Sequence, residues 1–158
     1  MSELLRIIDQ LEREHRGDPW HGSPLRDILE GVDAAQASRK PIPGGHSIWE
    51  LVLHMTGWKR EVARRAGGAP AGVPEEGDWP AVGEPTEARW HAALERLEDA
   101  HRSLIAAIDQ LPEATLFEPT NDPRNRPLGA GVSYYVLLHG VVQHDVYHAG
   151  QIALLKKA

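Results

Sequence analysis

The sequence predicts an all-α protein, a four-helix bundle with long crossover connections, organised as one domain over residues 1–158. Two observations carry this. Four long segments repeat apolar residues every third or fourth position with no proline inside them, which is the spacing of one helix face. Long links rich in glycine, proline and polar residues join the last three of these segments; the first, of 19 residues, can cross the length of a bundle, and the second can lie over one end of it. A third observation, histidines set into the apolar faces of two segments, points to what such a bundle does.

In chain order, Ser2 to Arg16 reads as an amphipathic helix with Ser2 as N-cap and a stripe of Leu4, Leu5, Ile8 and Leu11, with Ile7 at its edge. Gly17-Asp18-Pro19 breaks it. Ser23-Pro24 reads as a cap and first helical position for a short helix to about Glu30. Asp33 to Ser38 is a further helical turn, ended by Pro41-Ile42-Pro43-Gly44-Gly45. Ser47 with Glu50 three residues on is a capping box, and the helix it opens runs to about Ala66. Its inward stripe is Ile48, Leu51, Met55, Trp58 and Val62, with His54 against it; Lys59, Arg60, Arg64 and Arg65 are assigned to the solvated outer face. Residues 67–85 form the first long link. Thr86 caps a helix to about Leu111 with Trp90, Leu94, Leu97, His101, Leu104, Ile105 and Ile108 inward, and His91 on the surface. Residues 112–131 form the second link.

The last segment, Gly131 to Lys157, is the one the others are arranged around. Leu137, Val141, His144, His148, Ile152 and Leu155 share one face, and two of these six are histidines four apart. Two imidazoles so placed can share one divalent ion. A pair is an incomplete site, because zinc-like ions take at least three protein ligands, and His54 is the third candidate. Asp145, Gln151, Glu50 and backbone carbonyls are the candidate acceptors for the remaining ring nitrogens. His101 is a possible fourth ligand or a structural histidine. His139 lies off the ligand face. The alternative for all of them is a hydrogen-bonded histidine cluster without metal.

Composition narrows the class. Lys and Arg number 17 against 23 Asp and Glu, a net charge of −6, which disfavours nucleic acid as a partner. There is no cysteine, so disulfides, thiolate metal sites and an internal catalytic thiol are excluded. The N-terminal stretch lacks a signal-peptide core, and no apolar run approaches the roughly 18 residues of a membrane span; a soluble cytoplasmic protein is expected. Three histidines leave a coordination position open, as in catalytic sites, where an ion can acidify water or hold a thiolate. His144-Asp145-Val146-Tyr147-His148 also echoes a metalloprotease helix, but with Asp in place of the longer Glu that such chemistry uses.

The runs LLHGVVQHDVYHAGQIALLKK and HSIWELVLHMTGWKREVARR resemble the DinB-like superfamily, which includes the YfiT-type metal-dependent hydrolases. The resemblance covers essentially the whole chain and is strongest at HDxYHxGQI and SIWELVLH. It implies a four-helix bundle and a divalent metal, zinc or nickel, on one mid-chain histidine and the C-terminal pair, which fall at His54, His144 and His148. It also implies a homodimer. It further implies either an S-transferase that uses an external low-molecular-weight thiol on a small-molecule substrate, or a hydrolase. Arg124 and Arg126 are candidate contacts for an anionic thiol. The competing expectation is a non-catalytic metal-stabilised bundle or a stress-related binding protein.

Overall fold

The computed structural model describes residues 1–122 and 132–158. Six α-helices are present among them: α1 (Glu3–Arg16), α2 (Leu25–Leu29), α3 (Ala34–Ser38), α4 (Ile48–Ala66), α5 (Glu87–Asp109) and α6 (Tyr134–Leu155). Among the described residues there is no strand, only one isolated bridge between Pro119 and Ser133. The boundaries follow local chemistry. Ser2, Ser47, Thr86 and Ser133 each accept a backbone N–H through the side-chain oxygen, and Ser47 with Glu50 forms the full capping box. The short α2 starts one residue later than expected, with Pro24 at the cap position and no side-chain cap.

The four long helices are α1, α4, α5 and α6. Each of α1 and α4 packs against both α5 and α6. Contacts along their lengths give the directions. Trp49 meets Trp90 at the starts of α4 and α5, and Lys59 meets His101 at their middles, so these two run parallel. That requires the 67–85 link to return along the whole bundle, as its length allows. Glu3 lies by His139 and Glu14 by Lys59, whose amine reaches Asp145, so α1 runs parallel to α6, and this pair runs opposite to the other.

The core is two apolar clusters with a polar band between them. One gathers Leu25, Leu29, Trp49, Met55, Trp90, Leu97 and Ile152; the other gathers Ile7, Leu11, Val62, Leu104, Ile108, Leu138 and Val141. Two expectations are corrected. The buried stripe of α1 is Leu4, Ile7, Leu11 and then Glu14, while Leu5 is exposed; Ile7 lies at its centre and not at its edge. Lys59 is 0% exposed and Arg65 is also buried, not on an outer face. The reason is that α4 is buried on most of its circumference, being packed against α5, α6, α3 and the crossover link.

Candidate metal centre

His54 on α4 and His144 and His148 on α6 come together at the bundle's mid-height. Each offers a nitrogen lying within 4.8 Å of those of the other two, and the Nε2 atoms of His54 and His144 are 3.0 Å apart. The orientation of each ring follows from what holds its other nitrogen. Nδ1 of His54 lies 2.7 Å from the Asp78 carbonyl oxygen, which can only accept, so Nδ1 carries the proton and Nε2 presents a lone pair. Nδ1 of His148 lies 2.7 Å from Oε1 of Gln151, with the same consequence. Nδ1 of His144 faces Oδ1 of Asp145 at 3.6 Å, longer than a hydrogen bond. Both atoms are buried and have no other hydrogen-bond partner. Burial pushes the His148 imidazole down to about 4 and lowers His54 as well, so both are neutral at pH 7 and fit to ligate.

These donors fit a divalent ion. Two nitrogens each about 2.0–2.1 Å from one tetrahedral zinc ion stand about 3.3 Å apart, close to the observed Nε2–Nε2 spacing. Three converging imidazoles, two of them with acceptors at hydrogen-bond distance behind them, are the donor set of a site with an open position.

Two residues of the site were not anticipated, and both lie in the 67–85 link. Besides holding His54, Asp78 accepts a hydrogen bond from Trp58 Nε1 at 2.7 Å. The indole of Trp79 stacks between His46 and His54, with ring centroids 3.4 and 3.9 Å away and planes within a few degrees. The one signal available was an indole in a link otherwise made of small and polar residues.

The other sequence candidates go elsewhere. Glu50 is committed to its capping box and to Lys40 and lies 3.5 Å from His46 Nδ1, so it stands behind none of the three converging histidines. His139 packs on Tyr135 and near Glu3. Arg124 and Arg126 lie outside the described residues. His91 is exposed, as expected. His101 is fully buried, but in a second group with Glu14 and His15 whose donor atoms are equally close to one another. That group does not suit a metal. The rings of His15 and His101 stack at 3.9 Å and 8°, so their in-plane lone pairs run parallel and do not converge, and the Lys59 ammonium lies 3.4 Å from His101 Nδ1. A cleft of about 1070 Å³ lies between α1, α2 and α5; it is lined by His15, Arg26, Leu94 and Glu98 among others, and by none of the three converging histidines.

The family model of the DinB superfamily matches residues 20–152, most of the chain, including His54, His144 and His148. The chain belongs to the DinB superfamily. No curated protein and no solved structure gives a significant match. The all-helical architecture of this DinB-superfamily chain agrees with that assignment, and no described helix is long and apolar enough to cross a membrane.

Proposed function

We propose that this chain is a metal-dependent enzyme whose zinc or nickel ion is held by Nε2 of His54, His144 and His148, and which transfers the sulfur of an external low-molecular-weight thiol to a small electrophile. The observation that carries the reading is the convergence of three imidazoles whose other nitrogens face acceptors. Once bound, the ion supplies Lewis acidity at an open position. The residues around it do the rest. Asp78, Gln151 and Asp145 orient the rings, and Trp79 and Trp58 shield His54 with apolar surface. With a chlorinated electrophile the sulfur–carbon bond forms as the carbon–chlorine bond breaks, chloride leaves, and the thiol proton passes to solvent. Hydrolysis at the same position is the related reading.

The test begins with metal content. Untagged wild-type protein is expected to carry near one ion per chain and His148→Ala to lose it. Metal-loaded protein is then assayed with several biological thiols and a chlorinated electrophile. Turnover above the metal-stripped level supports the transferase. No turnover, with a melting point that drops sharply on metal removal, supports a non-catalytic bundle stapled by its ion. That second reading is favoured by one observation: Asp78 and Gln151 beside the histidines are already engaged in orienting them.

We further propose that the chain forms a homodimer through α6. Its outer surface exposes Val136, Tyr147 and Leu154, its only carboxylate, Asp145, is buried, and a Cβ added at Gly140 or Gly150 would meet nothing within 4 Å. Light scattering of the eluting protein should give twice the chain mass for the wild type and a single chain for Leu154→Glu. A monomeric wild type would overturn this.

A further inference from the structure

We propose that the buried Lys59–Asp145 pair is a positioning device for the metal centre, holding the His144 ring so that Nε2 points at the ion. This rests on the three-histidine reading above and extends it to residues that touch no ligand.

Lys59 and Asp145 are each 0% exposed. The ammonium of Lys59 donates to Oδ2 of Asp145, which turns the other oxygen, Oδ1, toward His144 Nδ1. Oδ1 and Nδ1 have no other hydrogen-bond partner, and Asp145 is the residue next to His144, so the backbone brings them together whenever the carboxylate is fixed. Lys59 is fixed in turn from two further sides. Its Nζ lies 3.5 Å from Glu14 Oε1 on α1 and 3.4 Å from His101 Nδ1 on α5. One side chain thus touches all three other long helices, and the geometry of a site built on α4 and α6 becomes dependent on α1 and α5. A buried ion pair is a poor source of stability, because desolvating both charges consumes most of the Coulomb gain. Fixing the orientation of a ligand is a use for which such a pair suits better than an apolar one, since an acceptor behind a ligating histidine sets ring direction and basicity.

Three variants separate this role from plain structural support. Lys59→Met/Asp145→Leu removes both charges together, which leaves no unpaired ion. Asp145→Asn keeps the side chain's shape but directs an amide N–H₂ at His144 Nδ1 once Lys59 claims the oxygen. Leu104→Ala opens a cavity in the apolar cluster without touching the pair. Zinc affinity is measured by competition with a chromophoric chelator, and the visible spectrum is recorded after loading with cobalt(II). The first two variants should bind zinc 10–100-fold more weakly than wild type with an altered cobalt spectrum. Leu104→Ala should melt at lower temperature with both readouts unchanged. Wild-type affinity and spectrum in either charge variant would overturn the proposal. Equal zinc binding by wild type and His148→Ala would instead overturn the three-histidine reading beneath it. If the double variant does not fold, Asp145→Asn decides.

Discussion

Lys59→Met is expected to cost the fold about 3–5 kcal/mol, the cost of breaking one side of a buried ion pair. The ammonium lies at the centre of the bundle with two carboxylates, Glu14 and Asp145, in reach. Burial alone would depress Lys59, but the charge of Asp145 outweighs it and holds the amine above its usual range. Burial likewise opposes an ionised Asp145, yet the Lys59 charge prevails and holds that carboxyl down to about 2. Glu14 behaves in the opposite way: burial, followed by the negative charge of Asp145, pushes it up to about 9. The 3.5 Å spacing to Lys59 suggests a second ion pair, but one cation serves two carboxylates here, and the nearer one takes the charge while Glu14 keeps its proton. Methionine fills the lysine's volume and leaves Asp145 charged and uncompensated. A loss of this size is a large share of the 5–15 kcal/mol that holds an ordinary domain together. Urea denaturation should show a lower midpoint with an unchanged slope. Removing both charges in Lys59→Met/Asp145→Leu should recover most of the loss. A single variant as stable as wild type would show that Asp145 has another source of compensation.

The fold was legible in the sequence because its signals are local. Serine and threonine caps sit where the apolar periodicity begins, and the 67–85 link is long where the chain must return along the bundle. The three converging histidines were legible for the same reason, since each interrupts or borders an apolar stripe at helical spacing. Lys59 was misread, and Glu14 passed over, because residue type was weighed ahead of position. Lys59 falls four after Met55 and three before Val62, on the buried line of α4. Glu14 follows Leu4, Ile7 and Leu11, and Asp145 follows Leu138 and Val141 on theirs. A charged residue that continues an apolar stripe without shifting it is a candidate for the interior, and three such residues from three helices are candidates for one another. The contributions of Asp78 and Trp79 were not legible in this way. A link's path is set by what it packs on, and no periodicity announces that a carbonyl in it will meet a histidine Nδ1.

The same band makes stability a peaked function of pH. Burial pushes His15 and His101 down to about 3 from an ordinary 6.5. The unfolded chain therefore takes up two protons below pH 6.5 that the native band refuses until about 3, so stability is lost as pH falls through that window. Glu14 acts on the other side. Its native value of about 9 exceeds the ordinary 4.5, so between those limits the folded protein carries a proton that the unfolded chain has released, and stability is lost as pH rises. One proton of difference is worth about 1.4 kcal/mol per pH unit. Below pH 4.5 Glu14 no longer offsets the histidines, and His148, held down to about 4 in the metal-free protein, adds its proton to those of His15 and His101, so the decline is steepest there. Between pH 4.5 and 6.5 Glu14 offsets one of these three protons, leaving a slope of about 2.7 kcal/mol per unit, and above 6.5 Glu14 alone gives a decline of about 1.4 kcal/mol per unit. A maximum near pH 6.5 is expected for chelator-treated protein, measured by denaturation across pH 4 to 9. Glu14→Gln supplies the decisive comparison, since an amide of the same shape cannot titrate. Its acid limb should remain and steepen between pH 4.5 and 6.5, while its alkaline limb should flatten. An alkaline limb parallel to that of wild type would mean that Glu14 is ionised in the native band and that Lys59 neutralises both carboxylates.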